Sequence, residues 1–253
     1  MSPEPIVFYD LPAKVKGTAW SSSTWKTRFT LNYKRLPYKT VFVEFPDISR
    51  ISQEIGASPT GTWPDGSPKY TLPAIYDPST KTAVADSTAI ARYLDATYPG
   101  TPRVIPEGTE AFQEAVQVAL RTVVGLNTAH LIMPLAPPLL SPDSAAHYTA
   151  VRETIMSESL VKELSILGSA AREERWVALE SGLGKVAKWI ETDGKERKFF
   201  MGDKPCFADF FVGAGLESMK RVLGEDGEEW RRVAQWHGGR WGRLVADLEE
   251  FAD

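Results

Sequence analysis

The chain carries a single cysteine, Cys206, and three histidines, His130, His147 and His237, among 253 residues. One thiol excludes an internal disulfide and any Cys-x-x-Cys redox pair, and it agrees with a reducing, cytoplasmic setting. The histidines are far apart and, with one cysteine, form no metal-ligand spacing, so no metal is expected. A formal net charge of −4, a pI near 5.6 and the lack of any basic run interleaved with aromatics argue against a nucleic-acid partner. No continuous stretch of about eighteen apolar residues occurs, and Met1-Ser2-Pro3-Glu4-Pro5 lacks the positive segment and apolar run of a leader, so no membrane partner is expected. There is no phosphate loop ending in Gly-Lys-Ser/Thr. Gly213-Ala214-Gly215 is a fragment of a dinucleotide fingerprint, but it lies in an apolar helical segment and reads as packing.

What is present is enough apolar residue, 43% against 25% charged, to bury a core of one large or two smaller domains. The texture changes along the chain. Up to about residue 97, strand-like and helix-like stretches alternate: Pro5 to Leu11 as a buried strand, a helix near Thr24, a strand over Tyr38 to Val43, a short helix marked by Ile48, Ile51 and Ile55, strands at Ala74 to Tyr76 and Thr82 to Val84, and a helix capped by Asp86 or Ser87. Residues 56–69, rich in proline and glycine, read as irregular loop. Residues 98–108 read as a linker, and 109–253 as helices only. There Phe112, Val116, Ala119, Leu120 and Val123 trace one packing stripe, Met156, Leu160, Leu164 and Leu167 a second, and Trp176, Leu179, Leu183, Val186 and Ile190 a third. The fold class is therefore α/β followed by all-α. The apolar, helix-breaking stretch Met133 to Leu140 reads either as the lining of a hydrophobic cleft or as an interhelical loop.

The most informative segment is Trp20-Ser21-Ser22-Ser23-Thr24-Trp25-Lys26-Thr27-Arg28-Phe29. It sets hydroxyls between a strand and the first turn of a helix, where orphan amide donors point outward and can hold a thiolate. Two further elements follow in order, Thr71-Leu72-Pro73-Ala74 and Asp86-Ser87. Alone, each reads as an ordinary cap or an ordinary X–Pro bond.

Together the three resemble the glutathione-binding half of a glutathione transferase of the serine type. WSSSTWKTRFTLNYKRLPYKTVFVEFPDI is similar to the fungal transferases related to lignin β-etherases, with Ser22 where those carry proline. The resemblance covers nearly the whole chain. It implies a thioredoxin-like domain over residues 1–97, a linker over 98–108 and a helical-bundle domain over 109–253 lining a hydrophobic site. It further implies glutathione as co-substrate, a homodimer, and conjugation, aryl-ether cleavage or peroxide reduction on aromatic substrates. A ligandin-type binder of aromatic compounds is the alternative. The pattern S-x-x-x-W-[KR]-x-[RK], counted back from Arg28, puts the catalytic hydroxyl on Ser21, with Ser22 and Ser23 as rivals. Leu72, before an expected cis Pro73, is the backbone contact for the cysteinyl part; Asp86 faces the γ-glutamyl ammonium and Ser87 its carboxylate. Lys69 is a candidate for the glycyl carboxylate or a solvated cation. Trp20, Trp25, Met133 and Leu135 are the candidate hydrophobic site, although core packing explains the tryptophans equally well. Asp209, three residues after Cys206, fits the capping box of the family's central helix, with a thiol at the hydroxyl position.

Overall fold

A computed structural model describes residues 4–153 and 156–252, with Glu153 by its backbone alone. The first part builds β1 (Ile6–Asp10), α1 (Ser22–Tyr33), β2 (Tyr38–Phe42), α2 (Ile48–Glu54), the short strands β3 (Gly61–Thr62) and β4 (Pro68–Lys69), then β5 (Ala74–Asp77), β6 (Thr82–Ala85) and α3 (Ser87–Thr97). The main sheet has the order β2-β1-β5-β6, the thioredoxin-like arrangement. β1 runs parallel to β2, with Ile6 opposite Tyr38, and antiparallel to β5, with Tyr9 opposite Ala74. Ile6 and Phe8 alternate inward and meet Leu31 of α1 and Ile90 and Leu94 of α3, which is why a period of two in β1 and a helical period in the flanking segments share one core. One departure lies in residues 56–69: the proline-rich loop contains the β3–β4 hairpin, with Gly61 opposite Lys69.

A buried ion pair fixes the connection to the helices. Lys34 donates to Asp95 at 2.7 Å, and Asp95 also accepts the amides of Val104 and Ile105. Both charges are thereby paired and hydrogen-bonded, the condition under which burial is tolerated.

The helical part comprises α4 (Glu110–Leu120), a π-helical segment (Arg121–Gly125), α5 (Leu126–Ile132), two 3₁₀ turns (Met133–Leu135 and Pro137–Leu139), α6 (Pro142–Glu153), α7 (Glu158–Leu164), α8 (Ala170–Ile190), α9 (Phe207–Leu223) and α10 (Glu228–Leu248), whose backbone breaks at Trp236 to Gly239. Trp176, Leu179, Leu183, Val186 and Ile190 are all buried on α8, as their spacing predicts. α9 is buried nearly all round, and Gly213 leaves room there for the Leu248 side chain, whose Cδ1 a Cβ would meet at 2.2 Å. At its N-terminus, Asp209 takes the Cys206 amide at 2.9 Å and the Cys206 thiol at 3.2 Å.

Two predicted stripes are wrong in detail. On α4 the buried side is Gln113, Gln117 and Leu120, while Phe112 is exposed. The glutamines turn inward because each has a partner there: Gln113 accepts the Ala208 amide and donates to Cys206, and Gln117 accepts from Thr88. Leu167 is likewise exposed, because α7 stops at Leu164. The run Glu110–Leu135 also has an eighteen-residue window of mean hydropathy 1.3, long and apolar enough on those grounds to cross a membrane, although Gln113, Gln117 and Arg121 interrupt it.

Candidate functional site

Ser21 is the N-cap of α1, with φ −71° and ψ 125°, and its Oγ accepts the Ser23 amide at 3.3 Å. Because the oxygen is used as acceptor, the hydroxyl proton remains for a ligand. α1 is held on the sheet by Arg28, which donates to the buried Asp10 of β1 at 2.8 Å and to Tyr38 at 3.3 Å, with Phe8 and Trp25 stacked beside its guanidinium. Arg28 thus sets where the first turn of α1, and so Ser21, lies against the end of β1.

Two cavities meet at Trp20, Ser21 and Ser23. One, of about 370 Å³, runs over the α/β part between Leu11, Phe45, Trp63, Lys69 and Leu72. The other, of about 260 Å³, runs into the helical part between Val124, Thr128, Met133, Leu183, Phe211 and Ser218. Tyr148 and Arg152 of α6 border both. Tyr148 is placed there by aromatic contacts with Trp20, 6.0 Å between centroids, and Phe45, 5.2 Å. A polar latch keeps α6 against the β2–α2 connection: Ser141 and Ser144 both donate to Glu44, and Ser144 accepts the Phe45 amide. Burial pushes the Tyr148 phenol above its usual range, opposed by the adjacent Arg152.

The Leu72–Pro73 bond is cis, and the Leu72 amide and carbonyl have no partner among the described residues. Lys69 stands over the Trp63 ring at 4.5 Å and lines the first cavity. Asp86 is tied to the Pro73 carbonyl through its own amide, at 3.2 Å, and caps α3 by accepting the Thr88 and Ala89 amides on one oxygen. That local pairing accompanies its positive φ of 78° and leaves Oδ2 without a protein partner. Ser87 follows as a buried first-turn residue. Asp86 and Ser87 lie outside the residues that line either cavity.

Two of the expected hydrophobic-site residues are elsewhere. Trp25 does not face a cavity; it is 3% exposed and packs on Phe29 at 5.2 Å in the core that α1 shares with α9. Ser21, as an N-cap with extended backbone, stands outside the helical face that carries Trp25, and that face packs against α9. Leu135 opens onto a separate surface depression with Leu167 and Trp236, because the 3₁₀ turn after α5 rotates it away from Met133. Trp20 and Met133 do border the inner cavity.

Sequence reasoning missed the contributions of the helical part. Tyr148, Arg152, Thr128, Phe211 and Ser218 are brought to Ser21 by long-range packing, and no local pattern marks them. Lys26 stood within the motif and also faces the inner cavity, with Nζ 5.0 Å from the Phe211 ring.

Two sequence families match. Residues 20–97 match "Glutathione S-transferase, N-terminal domain", and residues 111–251 match "Glutathione S-transferase, C-terminal domain". The glutathione S-transferase-like protein ustS of Aspergillus flavus is 30% identical over 257 aligned positions, covering 95% of this chain and 88% of that one. Among solved structures, the glutathione S-transferase CsGST63524 of Ceriporiopsis subvermispora, crystallised in complex with glutathione, superposes with a TM-score of 0.95 at 41% identity, covering 99% of this chain and 98% of that one. The transferase GSTFuA3 of Phanerochaete chrysosporium superposes with a TM-score of 0.93 at 40% identity, with the same coverage.

Proposed function

The chain belongs to the glutathione S-transferase family, and we propose that it binds glutathione in the outer cavity and activates its thiol for attack on hydrophobic aromatic electrophiles held in the inner one. The carrying observation is the position of Ser21: a helix N-cap whose hydroxyl proton is uncommitted, at the one place where the two cavities join. When bound, glutathione supplies a thiolate nucleophile.

The residues fit that co-substrate. The unpaired backbone groups of Leu72 offer a donor and an acceptor to an extended peptide, in the manner of strand addition. Asp86 keeps a free carboxylate oxygen for an ammonium, and the α3 N-terminus with Ser87 suits a carboxylate. Lys69 is the cation for the far carboxylate. Ser21 donates its hydroxyl proton to the sulfur, and the N-terminal amides and dipole of α1 add to the preference for the anion. Ser22 and Ser23 remain the rival donors; Ser22 lines only the inner cavity, whereas Ser21 and Ser23 line both. On this reading residues 1–97 hold glutathione, 109–253 hold the electrophile, and 98–108 connect them. Aryl ethers belong to the acceptor range to be assayed, as does peroxide reduction. The test is the pKa of the bound glutathione thiol, read by ultraviolet difference titration.

A second reading, a ligandin-type carrier of aromatic compounds, is supported by the ring cluster of Trp20, Phe45 and Tyr148 between the cavities. It requires glutathione to bind with an unshifted thiol and aromatic guests to leave unaltered.

We further read the protein as a cytoplasmic homodimer. Ala111, Ala115, Val118, Thr122 and Leu126 form an exposed stripe along α4 and α5, with Phe112 beside it, and Val118 and Leu126 are 58% and 56% exposed. A second copy of the chain is the occupant that buries such a self-complementary apolar face.

A further inference from the structure

We propose that the inner cavity takes aromatic electrophiles bearing a carboxylate, and that Lys26 is the residue which selects them. The inference rests on the transferase reading above and names the substrate class of that same site.

Lys26 lies one helical turn after Ser22 on α1 and so shares its face. It lines the inner cavity with Nζ over the Phe211 ring, and it takes part in no ion pair among the described residues. An ammonium lining a pocket with no carboxylate in contact is unusual, since a charge withdrawn from water ordinarily has a direct counterion; Asp86 acts on it only at longer range, and Arg152 lines the same cavity. Burial and the Arg121 charge pull Lys26 down to about 8, while Asp86 works in the opposite direction. The group therefore stays mostly protonated at neutral pH and gains from any added anion.

A second observation is independent of Lys26. The Ser218 hydroxyl on α9, whose residue is fully buried, and the Trp20 indole N–H, whose residue is 5% exposed, have no hydrogen-bond partner, and both residues line the same cavity. Unsatisfied buried donors are rare in folded chains and costly when nothing fills them. The residues lining the cavity thus carry two cations, Lys26 and Arg152, and two idle donors, with an apolar wall formed by Ile132, Leu179, Leu183 and Phe211. An aromatic ring suits the wall, and carboxylate oxygens, which only accept, suit these donors; Lys26 is the cation confined to this cavity, whereas Arg152 borders both. Glutathione also carries carboxylates: the cavity holding Lys69 and Leu72 does not include Lys26, and a role of Lys26 toward the γ-glutamyl end proposed at Asp86, whose charge it feels, would show separately in the KM for glutathione.

The test uses 4-chloro-3-nitrobenzoate and its isostere 4-chloro-3-nitrobenzamide. In each, the glutathione sulfur bonds to the ring carbon bearing chlorine, and chloride leaves with the electron pair of the broken C–Cl bond. In Lys26→Met the ratio of the KM for the benzoate to the KM for the benzamide is expected to rise about tenfold, the loss of one charge-assisted contact. Lys26→Arg, which keeps the charge, should restore most of it. Binding of the benzoate by calorimetry without glutathione should weaken in parallel. That readout needs no turnover, so an inactive protein that still binds the benzoate through Lys26 sinks the transferase reading and not this one. An unchanged ratio, a raised KM for glutathione with both acceptors, or no benzoate binding by the unaltered protein overturns the assignment.

Discussion

Replacing Ser21 by alanine removes a single hydroxyl whose structural and chemical parts separate cleanly. Structurally, Ser21 Oγ accepts one amide, that of Ser23, at a long 3.3 Å. Losing such a cap costs about 1 kcal/mol of stability, so the variant folds. Chemically, a hydrogen bond to a charged group is worth about 1.5–3 kcal/mol, and one pKa unit corresponds to about 1.36 kcal/mol, so the bound thiol should rise by about one to two units. Starting from a bound value near 6.5, the larger shift returns it to about 8.5, the value of a free thiol. At pH 6.5 the thiolate fraction then falls from about one half to about one in a hundred, and conjugation slows roughly 50-fold. The loss must shrink as pH rises and all but vanish near pH 9.5, where both proteins hold thiolate. The assay is thiolate absorbance against pH with glutathione bound, paired with initial rates at pH 6.5 and 9.5. Rates within about twofold of the unaltered protein at pH 6.5, or a loss equal at both pH values, would refute the role given to Ser21. If the shift appears instead in Ser23→Ala, the donor is Ser23.

Asp10→Ala strands the Arg28 guanidinium and frees the Leu11 amide that Asp10 also holds, so it should cost about 3–5 kcal/mol in urea denaturation. Loosening of α1 should raise the KM for glutathione as well; a loss under about 1 kcal/mol would remove Arg28 as the residue that positions the helix. Cys206 is fully buried and its thiol is pushed up to about 12 by burial and by Asp209, so Ellman's reagent should find no reactive thiol in the native protein at pH 8 and one after denaturation. Rapid native labelling would reopen a role for this cysteine. Val118→Glu on the exposed α4 stripe should convert the protein to monomers in sedimentation velocity with little change in thermal stability. A sedimentation coefficient identical to that of the unaltered protein would show that the stripe is not the contact between copies.

Much of the α/β part was legible because its signals are local. Ile6 and Phe8 alternate, Trp25 and Phe29 recur at helical spacing, and Ser21 and Asp86 stand where caps must stand. The order of serines, Leu72-Pro73 and Asp86-Ser87 identified the family, because the three elements resemble it together and not singly. The β3–β4 hairpin was not legible, because two-residue strands have no periodicity. The α4 stripe misled because hydrophobicity alone cannot register that Gln113 and Gln117 find buried partners on α9 and α3.

What the sequence by itself determined is the fold family; the proposed catalytic hydroxyl, narrowed to three residues, and the strand and helix ends proposed for glutathione were likewise read from patterns near in the chain. Only the tertiary structure decided which side of each element faces the cavities. Trp25 and Trp20 are equivalent as residue types, yet one lies on α1 in the core shared with α9 and the other, ahead of the α1 N-cap, borders both cavities beside Tyr148. Likewise Lys26, Tyr148, Arg152 and Ser218 are spread from residue 26 to residue 218 and line one cavity only because α9 packs on α1 and α6 on the β2–α2 connection. Pairings across such separations are set by the complementarity of whole surfaces, which no window of the sequence contains.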